Sequence, residues 1–424
     1  MFKKPSRKWL MPLLVVGALL VAAVYVVAAP PGPPEVGMVC TTGAPGTPTF
    51  NLETATGYIS TPDGNSVLMW SYVPSGGAFQ TPGPVLCVNE GDTVTINLTN
   101  TLPEPVSIVF PGQAGVTASG GSPGLFTAEA AASGGTVSYS FVADEPGTYL
   151  YESGSNLHKQ IQMGLYGALV VRPALGANYA YNDAATEFDT AREYLILLHA
   201  IDPVLHLAVE EGAPYDPTSY HARYWTINGR SFPDSILDNN VPWLPGQPYG
   251  ALVAVEAADP NDPSPPPPAL VRYVNASLEN HPFHPHGNHL RVIGRDGRLL
   301  KTAGGDDASM EAFAKTIGAG QTYDLVFRWT NVEGWQSAGP QIPDDAQPYP
   351  GLENLVFKDD LTWYSGSPYL GETEDFPAGT TIMNECGEFY FPWHSHALNE
   401  FQNFDEGFGG MATLLRVDPP GGCN

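Results

Sequence analysis

Basic residues are scarce in this chain of 424 residues: Lys and Arg number 18 against 44 Asp and Glu, a net charge of −26. With no basic stripe to neutralise phosphates, nucleic acid is excluded as an expected partner. The acidic excess instead suits solubility outside the cytoplasm or the attraction of cations. Cysteine is sparse too. Four are present, without a CxxC or a Cys–His cluster, so structural disulfides are the expectation rather than a thiolate cage. Helical periodicity is nearly absent, and no internal repeat stands at solenoid spacing.

Turn formers are plentiful. Gly (46) and Pro (42) together exceed their usual share of about 12%. Scattered between short β-branched runs, they predict the turns of an all-β fold. Lys3, Lys4, Arg7 and Lys8 precede an apolar run from Trp9 to Ala29 and then a proline-rich stretch. A basic flank before an apolar core is an export signal, and the run approaches the ~20 residues that span a bilayer. Val27-Ala28-Ala29 resembles a cleavage site that Pro30 would hinder, so a cleaved signal and a retained membrane tether both stay open. Four cysteines allow three pairings. Local pairing, Cys40 with Cys87 and Cys386 with Cys423, is the expectation.

Residues 1–39 are read as signal or anchor plus linker, 40–173 as a first β-domain, 174–192 as a polar linker and 193–424 as a second β-domain. Asp92–Thr99 alternates polar and apolar residues as a half-buried strand does, and Val137–Val142 and Tyr166–Val171 are further strands. Residues 259–268 are too proline-rich for a strand, and 339–377 read as a long insertion.

The chemistry sits in two triplets. His284 and His286 stand in NHPFHPHG (280–287), and His394 and His396 in YFPWHSHALNEF (390–401). In a strand, residues two apart share a face. Two such triplets on neighbouring strands bring four imidazoles to one point, which suits a single copper ion, with zinc as the alternative. His289 is out of phase and a weaker candidate. His158, His199, His206 and His221 are read as ordinary surface or core residues. The aromatic surroundings of Trp225 and Trp393 read as core, and Asp405 and Glu406 as a solvated loop.

At these motifs the chain resembles the multicopper oxidases and two-domain nitrite reductases. The resemblance covers most of residues 80–418, through NEGDTVTINLTNTLPEPVSI, GTYLYESGSNLHKQIQMGLYGALVVRP, REYLILLHAID, YWTINGRSFPDS and both His motifs. It implies two cupredoxin-like Greek-key β-sandwich domains and four metal motifs, of which two are degenerate. The first-domain positions read Val109-Phe110-Pro111-Gly112 and Glu152-Ser153-Gly154, so their histidines are missing, although Glu152 is a candidate substitute ligand. His281 matches a type 1 copper ligand and Met411 the axial one, but the cysteine is Ser395 and the second imidazole is Glu400. The resemblance further implies a homotrimer, with the cluster lying between one subunit's first domain and its neighbour's second. The expectation is an exported protein holding one metal ion at His284, His286, His394 and His396, with His281 as a weaker ligand and limited oxidoreductase activity. A non-catalytic cell-surface scaffold is the alternative, and a full oxidase or nitrite reductase conflicts with Ser395. Substrate and catalytic residues are not readable.

Overall fold

The computed structural model describes residues 36–258, 262, 264–330, 389–404, 406–407 and 409–418. The 339–377 insertion, the Cys386–Cys423 pair, Asp405 and nearly all of the N-terminal export segment lie outside them. Strands dominate, as the turn-rich composition predicts. Thr93–Asn100, Gly135–Val142 and Tyr166–Arg172 form where alternation or framework placed strands.

In the N-terminal part, Thr49–Ser60, Ser66–Pro74, Thr93–Asn100, Gly135–Val142 and Thr117–Gly120 build a five-stranded sheet. Cys40–Thr42, Val85–Asn89, Tyr166–Arg172 and Gly147–Glu152 build a four-stranded one. Phe50, Leu52, Ile96 and Tyr139 from the first sheet meet Leu86, Tyr151 and Leu169 from the second in one core, which makes a sandwich. Cys40 and Cys87 are joined in a disulfide, as expected, tying the short first strand to its parallel neighbour.

The C-terminal part repeats the plan. One sheet runs through Glu193–Ile201, Ala269–Asn275, Thr322–Phe327 and Leu290–Arg295. The other runs through Lys315–Ile317, His281–Pro285, Phe389–Ser395, Ala412–Asp418 and Val253–Ala258. Ile196, Leu198, Tyr273 and Leu325 pack against Val253, Phe283, Trp393 and Leu415.

The seam between the two parts is polar as well as apolar. Val85, Leu150 and Val170 meet Leu195, Leu197 and Val274 there. Arg272, fully buried, donates to Glu193 at 2.7 Å and to Asp324 at 3.1 Å. Glu193 also receives both Nη groups of Arg172, and Asp324 accepts from Thr148 and Tyr181. Tyr181 belongs to the expected linker, which is irregular in backbone but anchored by Tyr181 and Phe188 against Leu270 and Ile293.

Two short helices depart from the all-strand expectation. Leu157–Met163 (α1) and Pro203–Glu211 (α2) both pack near the seam. α2 starts where the Asp202 carboxylate accepts the Val204 N–H, with Pro203 in the first turn, and stops at Gly212 with a left-handed φ of 65°. His199 and His206 are core histidines, as one of the two readings had them. His199 donates Nε2–H to the Gln162 carbonyl at 3.1 Å, near the end of α1, and its ring lies against Tyr166. Burial drives its pKa down to about 3.

That depression sets a pH dependence. On acidification the unfolded chain takes up the His199 proton near 6.5 and the folded chain only near 3, so stability falls as pH drops through this window. The loss from this residue reaches about 4 kcal/mol. In His199→Gln, whose amide still donates to Gln162, urea midpoints measured from pH 6.5 to 3.5 fall less steeply than in the parent protein.

Candidate metal centre

The two His-x-His segments lie on adjacent antiparallel strands, with Phe283 opposite Ser395, His284 opposite His394 and Pro285 opposite Trp393. The ladder continues past the pairing on both sides: His286 N–H donates to the Pro392 carbonyl at 2.8 Å and His396 N–H to the Pro282 carbonyl at 2.7 Å. Alternation then sorts the side chains. Phe283, Trp393 and Ser395 are buried in the sandwich, where the Trp393 indole N–H donates to the Tyr273 hydroxyl at 2.7 Å. His284, His286, His394 and His396 share the opposite face.

There the imidazoles form a compact group. Ring centroids stand 4.9 Å apart for His284–His286, 5.1 Å for His286–His394, 5.3 Å for His284–His396, and 5.9 Å for His284–His394 and His394–His396. A metal–nitrogen bond of about 2 Å puts a bound imidazole centroid roughly 3 Å from the ion, so tetrahedral neighbours stand about 5 Å apart. The separations of 4.9, 5.1 and 5.3 Å match that figure, and the two of 5.9 Å, both involving His394, exceed it.

The proton positions fit as well. His284 donates Nδ1–H to the Phe313 carbonyl at 2.6 Å, and His394 donates Nδ1–H to the Ser395 carbonyl at 2.7 Å. A carbonyl only accepts, so both rings carry their proton on Nδ1 and keep Nε2 as a lone pair, the arrangement that outer hydrogen bonds impose on metal-bound histidines. His286 Nε2 lies 3.0 Å from His394 Nε2 and donates into it. Among the described residues no set of three or more His, Cys, Asp or Glu side chains is already drawn in to metal-binding geometry. Binding an ion requires that His286 release His394 and turn its own lone pair inward, and that the rings draw closer together. Burial, reinforced by the neighbouring imidazoles, lowers the pKa of His284 and His394 and takes His286 down to about 4. The rings are therefore neutral at pH 7, which is the form that ligates.

His284 and His394 are buried, His286 is partly open and His396 is exposed. Phe313, stacked on His284 with centroids 3.9 Å apart, and Leu398 stand in solvent beside them. Phe313 carried no signal in the sequence, because its contact spans 29 residues and uses a backbone carbonyl. His289 is exposed, within electrostatic reach of His284. His158, His221 and Glu406 are exposed.

His281 shares the strand of His284 but faces the other way. Its Nδ1 lies 2.9 Å from Glu400 Oε2, the same oxygen that accepts the Ser395 hydroxyl. All three are buried, and Met411 is buried in the adjoining core. The structure thus assembles the positions matched to type 1 copper, but with hydroxyl and carboxylate where thiolate and imidazole belong. Without a soft sulfur donor this set does not fit a type 1 ion. In the N-terminal part the two degenerate segments lie side by side, Val109 N–H donating to the Glu152 carbonyl at 2.8 Å. The Glu152 carboxyl, half-buried in that sandwich, is raised to about 7 by burial.

Comparison with known proteins agrees with the fold. Residues 76–175 match the family model described as multicopper oxidase. A multicopper oxidase of Talaromyces pinophilus is 41% identical over 96 residues, 22% of this chain and 15% of that protein. Copper resistance protein A of Escherichia coli is 35% identical over 117 residues, 28% of this chain and 17% of that protein. L-ascorbate oxidase of Cucurbita pepo var. melopepo is 39% identical over 100 residues, 23% and 18% of the two chains. The matches therefore span under a fifth of these relatives. Blue copper oxidase from Nitrosomonas europaea superposes with a TM-score of 0.57 at 19% identity, over 87% of this chain and 85% of that one. Multicopper oxidase mgLAC gives 0.56 at 18% identity, over 89% and 87%.

The core side of the site is open to a direct check. Trp393→Phe leaves the buried Tyr273 hydroxyl without its donor, which costs about 1–3 kcal/mol. Urea unfolding of the folded variant measures that loss.

Proposed function

For a chain of the multicopper oxidase superfamily, with an all-β cupredoxin fold and degenerate copper motifs, we propose a copper-binding protein with one mononuclear site at His284, His286, His394 and His396. The observation that carries this reading is the convergence of four imidazoles from two paired strands, two of them with Nδ1 already tied to carbonyls. Copper bound there supplies one-electron redox chemistry, and zinc is the alternative occupant of an all-nitrogen set. Phe313 and Ser395 orient the ligands through their carbonyls. Burial keeps His284, His286 and His394 deprotonated. His396 leaves one edge open to small molecules in solution.

Limited oxidoreductase activity suits this arrangement better than four-electron reduction of oxygen. Four electrons cannot be stored at one site that lacks a thiolate relay. Ser395, Val109-Phe110-Pro111-Gly112 and Glu152-Ser153-Gly154 speak against a full oxidase or nitrite reductase. The basic-then-apolar N-terminus supports export, by cleavage or with a retained tether, and the resemblance supports division into domains at 40–173 and 193–424 and a homotrimer. A second reading, a non-catalytic cell-surface scaffold, is favoured by one observation: the family match at 76–175 falls on the part that has lost its ligands.

Elemental analysis for copper, zinc and iron on protein from its own host separates these readings. The expected result is about one copper per chain without intense blue colour, lost in the double variant His394→Ala, His396→Ala while the fold persists. Protein that stays metal-free after copper exposure supports the scaffold. Near four coppers per chain with blue colour revives the oxidase.

A further inference from the structure

On the core side of the same two strands, His281, Ser395 and Glu400 meet at one carboxylate oxygen. His281 Nδ1 lies 2.9 Å from Glu400 Oε2, and the Ser395 hydroxyl donates to that oxygen. The contact joins the strand His281–Pro285 to the strand Phe389–Ser395, whose direct register runs over only three residue pairs. Ser395 stands between the two C-terminal histidines. Its Oγ also accepts Ala397 N–H at 3.2 Å, and its N–H donates to the Met411 carbonyl at 2.9 Å. Glu400 is held in turn, its carbonyl accepting Met411 N–H at 2.9 Å. No member of this set is exposed enough to meet a substrate.

We propose that Glu400 is a positioning residue: a buried carboxylate brace that fixes, from behind, the separation of the two His-x-His pairs. The proposal rests on the reading of the four imidazoles as one metal site. A metal centre weakens when the groups holding its ligands are lost, by roughly tenfold to a hundredfold in affinity. The brace lies beside the end of the strand pairing, where only the His396 N–H to Pro282 carbonyl bond continues the ladder, and it puts a hydrogen-bonded carboxylate in the pocket that does not fit a type 1 ion. Glutamine at the position can keep both contacts. Its amide oxygen, in the place of Oε2, accepts from both the Ser395 hydroxyl and His281 Nδ1–H.

The test is copper titration by chelator competition on the full chain, with electron paramagnetic resonance of the bound ion. Glu400→Ala is expected to weaken binding roughly tenfold to a hundredfold and to shift the copper hyperfine pattern, and Glu400→Gln to restore both. Ser395→Ala, which removes one arm of the brace, gives a smaller change in the same direction and serves if Glu400→Ala does not fold. Parental affinity and spectrum in folded Glu400→Ala or Ser395→Ala overturn the brace and leave the four-histidine site standing. A second ion that is lost with Glu400→Ala but kept in His394→Ala, His396→Ala also overturns it, making Glu400 a ligand. A parent protein that takes up no copper overturns the site and the brace together.

Discussion

The placement of His284 directly across from His394 is the constraint on which the site depends. In an antiparallel pair a slip of one residue sends every side chain to the other face. Such a slip here would carry the histidines into the sandwich and push Trp393 and Phe283 into water. Burial of those two aromatic side chains, at 1–3 kcal/mol each or more, therefore selects the register that gathers the imidazoles. The site is a by-product of core packing, and it needs no metal to choose its strand order.

That dependence explains how ligands could be lost elsewhere without loss of the fold. The N-terminal sandwich keeps its core with Val109 and Glu152 where the resemblance expects histidines. It stays attached through a polar seam in which Arg172 pairs with Glu193, and Thr148 hydrogen-bonds Asp324 and Arg272. In the C-terminal sandwich a serine, a glutamate and a histidine fill the pocket that the resemblance matches to a thiolate-bound ion, and the serine and histidine share one oxygen of the glutamate. Buried polar groups that lack partners cost free energy. A pocket without an ion must close around its own hydrogen bonds, and His281 and Ser395 here meet on a single Glu400 oxygen.

Much of this was legible in the residues. His-x-His spacing predicts a shared face, the framework around it predicts the two sandwiches, and local pairing of the cysteines, one of three possibilities, gives the Cys40–Cys87 bridge. Ser395 pointing away from its histidine neighbours follows from the same alternation. Other features turn on distances along the chain that local pattern does not encode. Phe313 reaches His284 through a backbone carbonyl, and Glu400 reads as a lost ligand until its oxygen is seen between His281 and Ser395. α2 was legible but masked by the strand-like surroundings, since Asp202, Pro203 and Gly212 are the cap and stop signals of a helix. His199 and His206 could be read only as surface or core, because burial at the seam is decided by the partner sandwich.

In the proposed site four imidazole nitrogens, and no sulfur, surround one ion. X-ray absorption at the copper edge on the copper-loaded full chain tests this most directly. The expected result is a first shell of about four nitrogens at ~2 Å with the outer scattering of imidazole rings. A sulfur scatterer, or a shell of oxygens without ring scattering, would contradict it.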